Sequence, residues 1–253
     1  MFLTCSVLIE ANYWNSNKMN TRAYEQRRSQ IEHYFDRTAA DAWARLTSNE
    51  PVGRIRATVR AGRDTMRNTL LSWLPEDLKG KRILDAGCGT GALAVQAALR
   101  GAEVVAIDLS PTLVKLAGER VASDHPHLPG SIEFLSGDML SPELGHFDHV
   151  VCMDSLIHYN CDQISDALAA LGQRTSGSMV FTFAPRTPLL ALMHSMGRLF
   201  PSSDRSPSLS PVAHSALLNK LDTHPELTQW QGGRMQRVAS GFYTSQAWEL
   251  TRA

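Results

Sequence analysis

One short segment constrains this chain more than any other: Asp85-Ala86-Gly87-Cys88-Gly89-Thr90-Gly91, directly after the apolar pair Ile83-Leu84 and directly before the helix-forming run 92–100. Glycines at such a turn let the backbone reverse sharply and let a ligand approach with no Cβ in the way. The chain beyond the loop keeps to one rhythm of short apolar runs and helical stretches. Strands are predicted over 82–87, 103–108, 131–135, 147–154 and 178–184, because each run is short, apolar and bounded by turn residues. Ser110 is a fitting N-cap and Pro111 a fitting first helical residue for a helix to Val121. Strand–helix alternation of this kind predicts a mostly parallel sheet with right-handed crossovers. The last stretch, 235–250, holds Gly241 between two strand-like runs. It predicts an antiparallel hairpin on the sheet edge, giving a seven-stranded, Rossmann-like α/β fold.

Ahead of Lys81 the pattern is helical. Tyr24, Ile31, Tyr34 and Phe35 share one face, followed by Ala39, Trp43 and Leu46 at spacings of three and four. A second helix after Pro51 carries Ile55, Val59, Met66, Leu70 and Trp73 on its apolar stripe, and Arg56, Arg60, Arg63 and Arg67 on its other side. That arginine row is either a solvated face or a docking surface for an anionic substrate or partner. Residues 19–78 are expected to form a helical N-terminal cap on a Rossmann-like domain over 79–253. Met19 opens the helical segment and is the expected start, which leaves 1–18 as a disordered extension. An insert is expected at about 185–221, after the fifth strand. Its stripe of Leu189, Leu192, Met193, Met196, Leu199 and Phe200 precedes a Ser/Pro-rich run. The insert sits over the sheet edge where open α/β folds bind ligands. Core packing, a mobile lid with adaptable Met contacts, and a rest on a membrane surface all fit it.

Composition narrows the partners. Lys plus Arg and Asp plus Glu are 25 each, a formal net charge of zero, so nothing supports nucleic-acid binding, which needs concentrated positive charge. Cys5, Cys88, Cys152 and Cys161 have neither zinc-ligand spacing nor the look of a disulfide framework. A cytoplasmic protein without a bound metal is expected. No stretch reaches the roughly 20 apolar residues of a membrane-spanning helix.

Two cofactor classes use a glycine loop of this form. Gly87, Gly89 and Ala92 can satisfy the dinucleotide pattern, but the additional Gly91 and the acidic Asp85 favour the other class. A carboxylate beside the loop is a poor neighbour for a pyrophosphate and an acceptable one for a sulfonium cation. Asp108, at the end of the second strand, can accept both ribose hydroxyls in either class. Asp138 and Met139 suit an adenine, the carboxylate for its amine and the thioether against its ring, and Met153 follows the fourth strand beside the expected methyl donor. This ordered set matches the class I methyltransferase pattern. It places Asp85, Gly87, Gly89, Gly91, Asp108, Leu109, Asp138, Met139 and Met153 around S-adenosylmethionine. A dehydrogenase would lack an identifiable Tyr-x-x-x-Lys relay, and a catalytically silent S-adenosylmethionine-binding protein remains compatible with the loop.

Beyond the loop, His33-Tyr-Phe-Asp-Arg-Thr38, Trp43-Ala-Arg-Leu46, the run 59–66, Met153-Asp-Ser-Leu-Ile-His-Tyr159, Phe183-Ala-Pro-Arg186, Leu199-Phe-Pro201 and Gly241-Phe-Tyr243 resemble the magnesium-protoporphyrin IX O-methyltransferases of (bacterio)chlorophyll synthesis. The resemblance implies methyl transfer to one propionate of Mg-protoporphyrin IX, the magnesium being carried by the substrate. It also implies an encounter with the porphyrin-binding subunit of magnesium chelatase and a peripheral contact with the photosynthetic membrane. A methyltransferase for another small acid or phenol, and a silent porphyrin carrier, are the alternatives. A propionic acid titrates at about 4.3, so the nucleophile is already ionised at neutral pH and needs no strong base. His158 is the candidate for orienting that carboxylate and Tyr34 for closing over the cofactor. Arg186 is the candidate for pairing with a propionate, with Met193 and Met196 against the macrocycle.

Overall fold

The computed structural model describes residues 22–38, 47, 53–186 and 209–253. The polypeptide runs through α1 (22–33), α2 (Arg54–Trp73), β1 (Arg82–Ala86), α3 (Ala92–Leu99), β2 (Glu103–Asp108), α4 (Pro111–Asp124), β3 (Ser131–Ser136), β4 (Phe147–Cys152), α5 (Cys161–Gly172), β5 (Thr175–Phe183), α6 (His214–Thr223), β6 (Trp230–Ser240) and β7 (Tyr243–Arg252). The seven strands lie in the order β3-β2-β1-β4-β5-β7-β6. β1 to β5 are parallel, and β7 and β6 close one edge antiparallel. The order reverses between β1 and β4, which opens a crevice at the carboxyl ends of those strands. The glycine loop leaves β1 there.

Alternation along the strands divides the core into two layers. Ile83 and Val151 face α2 and α3, whereas Leu84, Val150 and Cys152 face α5 and α6. Met66 and Leu70 of α2 are fully buried in the first layer with Ala97, Val180 and Ala247. The stretch read as a cap therefore divides: α2 covers the sheet itself, and α1 crosses the ligand end. Likewise α6, which begins inside the expected insert and runs past its end, buries Leu217 and Leu221 in the second layer. The insert's own stripe, with Met193 and Met196, lies outside the described residues, as do 1–18.

Local signals act where expected. Ser110 Oγ accepts the Leu113 N–H at 3.2 Å and Pro111 opens α4, which runs on to Asp124. The hairpin turns at Gly241-Phe242, with Gly241 at φ +56°. Its first strand begins at Trp230, earlier than its apolar content indicates, because most of β6 is exposed. A capping box at Asn160 and Gln163 starts α5. No helix among the described residues is long and apolar enough to cross a membrane.

Candidate active site

A cavity of about 340 Å³ fills the crevice. Its floor is the glycine loop. Gly87 and Gly89 hold φ of +86° and +53°, conformations that favour glycine. The N–H groups of Gly87 and Cys88 both donate to the Ile107 carbonyl, at 2.8 and 3.0 Å, and tie the loop to the end of β2. Asp108 tightens this, its carboxylate accepting the N–H of Gly89 at 2.8 Å and of Ser110 at 2.9 Å. Burial raises the Asp108 carboxyl, and those two N–H donors pull it back. A Cβ on Gly87 would stand 2.4 Å from Cβ of Ser155 after β4, so this glycine permits the close approach of β1 and β4 at the site. Gly91 does not line the cavity. Its missing Cβ makes room for the Phe134 ring, 2.9 Å away, which is a packing role.

Asp85 lies beneath the loop, 1% exposed, with Oδ2 lacking a hydrogen-bond partner among the described residues. Burial first, and the neighbouring Asp108 after it, push its carboxyl up to about 7 against the opposing Ala94 N–H. A buried acceptor left unmatched costs on the order of 1–3 kcal/mol, and one at a cavity wall fits a ligand that brings a donor or a positive charge. Leu109, Asp138, Met139, Met153 and His158 also line the space.

The second wall is α1. Tyr24 Oη donates to Asp138 Oδ1 at 2.8 Å, and Arg28 Nη1 to Oδ2 at 2.8 Å. The Leu140 N–H donates to Oδ1 as well. A carboxylate has room for about one donor more. The Tyr24 ring stacks on Tyr159 with centroids 5.6 Å apart, and burial raises its phenol far above the ordinary value. Arg27 Nε donates to the His158 carbonyl at 2.8 Å. His158, 5% exposed at the end of the turn Leu156–His158, meets the edge of Phe35 at 5.8 Å. Tyr34 does not line the cavity. A π-helical turn over Tyr34–Thr38 ends this segment, where Phe35 faces inward and Tyr34 packs edge-on against it. The tyrosines the geometry puts at the cavity are Tyr24 and Tyr159; for Tyr24, its place on the same face as Ile31 was the available signal.

The third wall is α2, whose arginine row turns inward: Arg60, Arg63 and Arg67 are lining residues. Arg63 Nη1 lies 2.6 Å from Asp154 Oδ2, and Arg67 Nη2 lies 2.8 Å from Asp64 Oδ1. Asp154 also accepts from Tyr243 Oη at 3.0 Å and Ser245 Oγ at 3.3 Å. This group spans α2, the turn after β4 and β7, so only long-range packing assembles it. Arg186 does not join it; its side chain is exposed and its backbone N–H bonds to the Val212 carbonyl. Met193 and Met196 lie outside the described residues.

Comparison with known proteins agrees with this geometry. A family described as magnesium-protoporphyrin IX methyltransferase C-terminus matches residues 152–252, and a methyltransferase domain family matches 83–175. The chain is 49% identical to magnesium-protoporphyrin O-methyltransferase of Rhodobacter capsulatus over 227 residues, covering 89% of this chain and 97% of that one. It is 30% identical over 178 residues to the protein of that name from Synechocystis, covering 70% of this chain and 76% of that one. The crystal structure of magnesium protoporphyrin IX methyltransferase from Synechocystis with bound SAH superposes with a TM-score of 0.79 at 25% identity, covering 90% of this chain and all of that one. The glycine loop, the carboxylates ranged along it and the likeness over nearly the whole length make this chain a member of the magnesium-protoporphyrin IX O-methyltransferase family, a class I S-adenosylmethionine-dependent methyltransferase.

Proposed function

We propose that the protein moves the methyl group of S-adenosylmethionine to a propionate carboxylate of Mg-protoporphyrin IX, giving the monomethyl ester in (bacterio)chlorophyll biosynthesis. The observation that carries the reading is the buried Asp85 carboxylate under a glycine loop at the β1/β4 crevice, with its Oδ2 lacking a hydrogen-bond partner among the described residues, a setting suited to a cationic nucleoside. When bound, the cofactor supplies an electrophilic methyl on a sulfonium, so a carboxylate lone pair forms the new C–O bond while the C–S electron pair returns to sulfur. No proton is transferred, and the described residues need to supply only position and dryness. In this reading Asp138 and Met139 receive the adenine, Asp108 the ribose hydroxyls, and Gly87, Gly89, Leu109 and Met153 shape the space between them. His158, held by packing against Phe35 and by its carbonyl bond to Arg27, orients the acceptor carboxylate. An approach on the order of 3 Å along the methyl axis is the whole catalytic demand. Arg186, Met193 and Met196 belong to the same proposal as groups for the pigment's edge and face.

The test is transfer from methyl-labelled S-adenosylmethionine to Mg-protoporphyrin IX, with chromatography of the pigment. Alkali-labile label on the porphyrin is the expected result. Cofactor binding without label, or label appearing only on a small acid or phenol, would refute the assignment. Hand-over of the pigment from the chelatase's porphyrin-binding subunit, and a peripheral membrane contact, belong to the same reading. Their support is the flat, apolar nature of the pigment.

A further inference from the structure

The connection from β3 to β4, residues 137–146, brings Asp138 and Met139 to the cavity wall. Its only regular structure is the short turn Pro142–Leu144, so the course of the rest depends on what grips it from outside. Two arginines hold it by its carbonyls. Arg82 of β1 donates from Nη1 to the carbonyls of Leu144 and His146, at 2.9 and 2.7 Å. Arg174, in the turn between α5 and β5, donates from Nη2 to the Met139 carbonyl at 2.6 Å and from Nη1 to the Ser141 carbonyl. These two anchors act at different places. Leu144 and His146 stand away from the cavity, whereas Met139 lines it. Ser141 closes the turn, its N–H donating to the Asp138 carbonyl at 3.0 Å.

Arg174 is 8% exposed. Its hydrogen-bond partners among the described residues are those two carbonyls and no carboxylate, and its Nε is buried with no partner among them. Burying a guanidinium without a counter-ion in contact is costly, and an apolar chain of similar volume is often at least as stable in such a place. A cation kept there is better explained by what it holds. The planar fork can grip two carbonyls at once, which a lysine ammonium does with less fixed geometry. Arg174 does not line the cavity; it borders a separate hollow of about 280 Å³ at the amino ends of β4 and β5. It therefore acts through the turn and not on a ligand. Asp138 already accepts from Tyr24, Arg28 and the Leu140 N–H, so a small swing of the turn would take its remaining accepting capacity out of a ligand's reach.

We infer that Arg174 is a positioning residue for the methyl donor: its guanidinium, bonded at once to the Met139 and Ser141 carbonyls, fixes the turn that presents Asp138 to the donor's base and so sets the cavity's preference for adenine over other purines. The inference rests on the proposed placing of adenine at Asp138 and Met139. A purine with an amine at its six-position offers the carboxylate a donor, whereas one with a carbonyl there offers a second acceptor and is repelled.

The measurement is calorimetric titration of the whole protein with S-adenosylhomocysteine and with S-inosylhomocysteine, in which a carbonyl oxygen replaces the adenine amine. The unaltered protein is expected to prefer the adenine ligand by about 10- to 100-fold, the worth of one hydrogen bond to a charged group. Arg174→Met keeps the apolar stem and loses the fork, and it is expected to erase most of that preference by weakening S-adenosylhomocysteine. Arg174→Lys retains the charge and is expected to restore part of the preference; it carries the comparison if Arg174→Met does not fold. Arg82→Met loosens the same connection away from the cavity, and a lower melting temperature with the preference intact is expected. Equal weakening of both ligands by the Arg174 variants, unchanged binding in them, or the same loss of preference in Arg82→Met would assign Arg174 to the scaffold alone and overturn the inference. No porphyrin enters the titration, so failure of the pigment assignment leaves it standing. Absence of any preference in the unaltered protein would instead remove the placing of adenine beneath it.

Discussion

Asp85 carries the most sharply defined chemistry of any single residue. In the fold its carboxyl is pushed up to about 7 by burial, whereas an unfolded aspartate titrates near about 3.9. The folded state therefore holds an extra proton between those values. The stability this contributes is complete below about pH 3.9, declines as pH rises through the window, and is gone above about 7. The melting temperature of Asp85→Asn should consequently fall less than that of the parent between acid and neutral pH. A cationic ligand stabilises the ionised form, so S-adenosylmethionine binding at neutral pH should release a proton. The binding enthalpy of the parent would then vary with the buffer's ionisation heat and that of Asp85→Asn would not; equal buffer dependence in both would contradict the role. For His158→Ala, a fall in kcat on the order of 100-fold with S-adenosylhomocysteine affinity retained is the expected signature of lost orientation. A kcat within twofold of the parent would dismiss it. Asp85, Asp108 and Asp138, which line the cavity, could be read from the sequence because each lies at or just past the end of a strand within a local motif. Tyr24 and Arg63 could be placed on helical faces by spacing, but not at the cavity, since a helical face has no label until something packs against it.

Among the elements, α2 shows how a correct helix reading can miss its own consequence. Its apolar stripe and its arginine row are both evident from spacing, yet the stripe's burial against the sheet is what aims Arg60, Arg63 and Arg67 at the cavity. Leu70, with no exposure, anchors that packing, and Leu70→Ala is expected to cost about 2–5 kcal/mol in denaturant unfolding. Gly62→Ala is the finer test, because two effects oppose each other. Alanine in a helix interior gains about 1 kcal/mol over glycine, but here its methyl meets the Tyr243 ring at 2.6 Å, and overpacking costs typically about 1–3 kcal/mol. The net expectation is lower stability together with weaker S-adenosylhomocysteine binding, as Tyr243 is displaced from Asp154. A stabilised variant with full affinity would show that the contact is slack. The strands were legible to within a few residues wherever both faces are buried. β6 was read short because its exposed residues carry little apolar signal.

At the scale of the whole molecule, strand order does what no segment does alone. It sets β1 beside β4, closes the edge with the β6–β7 hairpin, and thereby brings α2, the glycine loop and the end of β4 around one space. That space is acidic along the glycine loop and carries Arg60, Arg63 and Arg67 with Asp64 and Asp154 on the α2 side, a division that only the assembled fold displays. The alternation of strands and helices made the sheet readable in advance, whereas the polarity arises from residues distant in sequence such as Arg63, Asp154 and Tyr243. The most direct test is a crystal structure of the protein with S-adenosylhomocysteine. Adenine beside Asp138 and Met139 and ribose hydroxyls on Asp108, with the sulfur open toward His158, are expected. A nucleoside lying in the reverse direction, or bound outside this cavity, would contradict the account at its root.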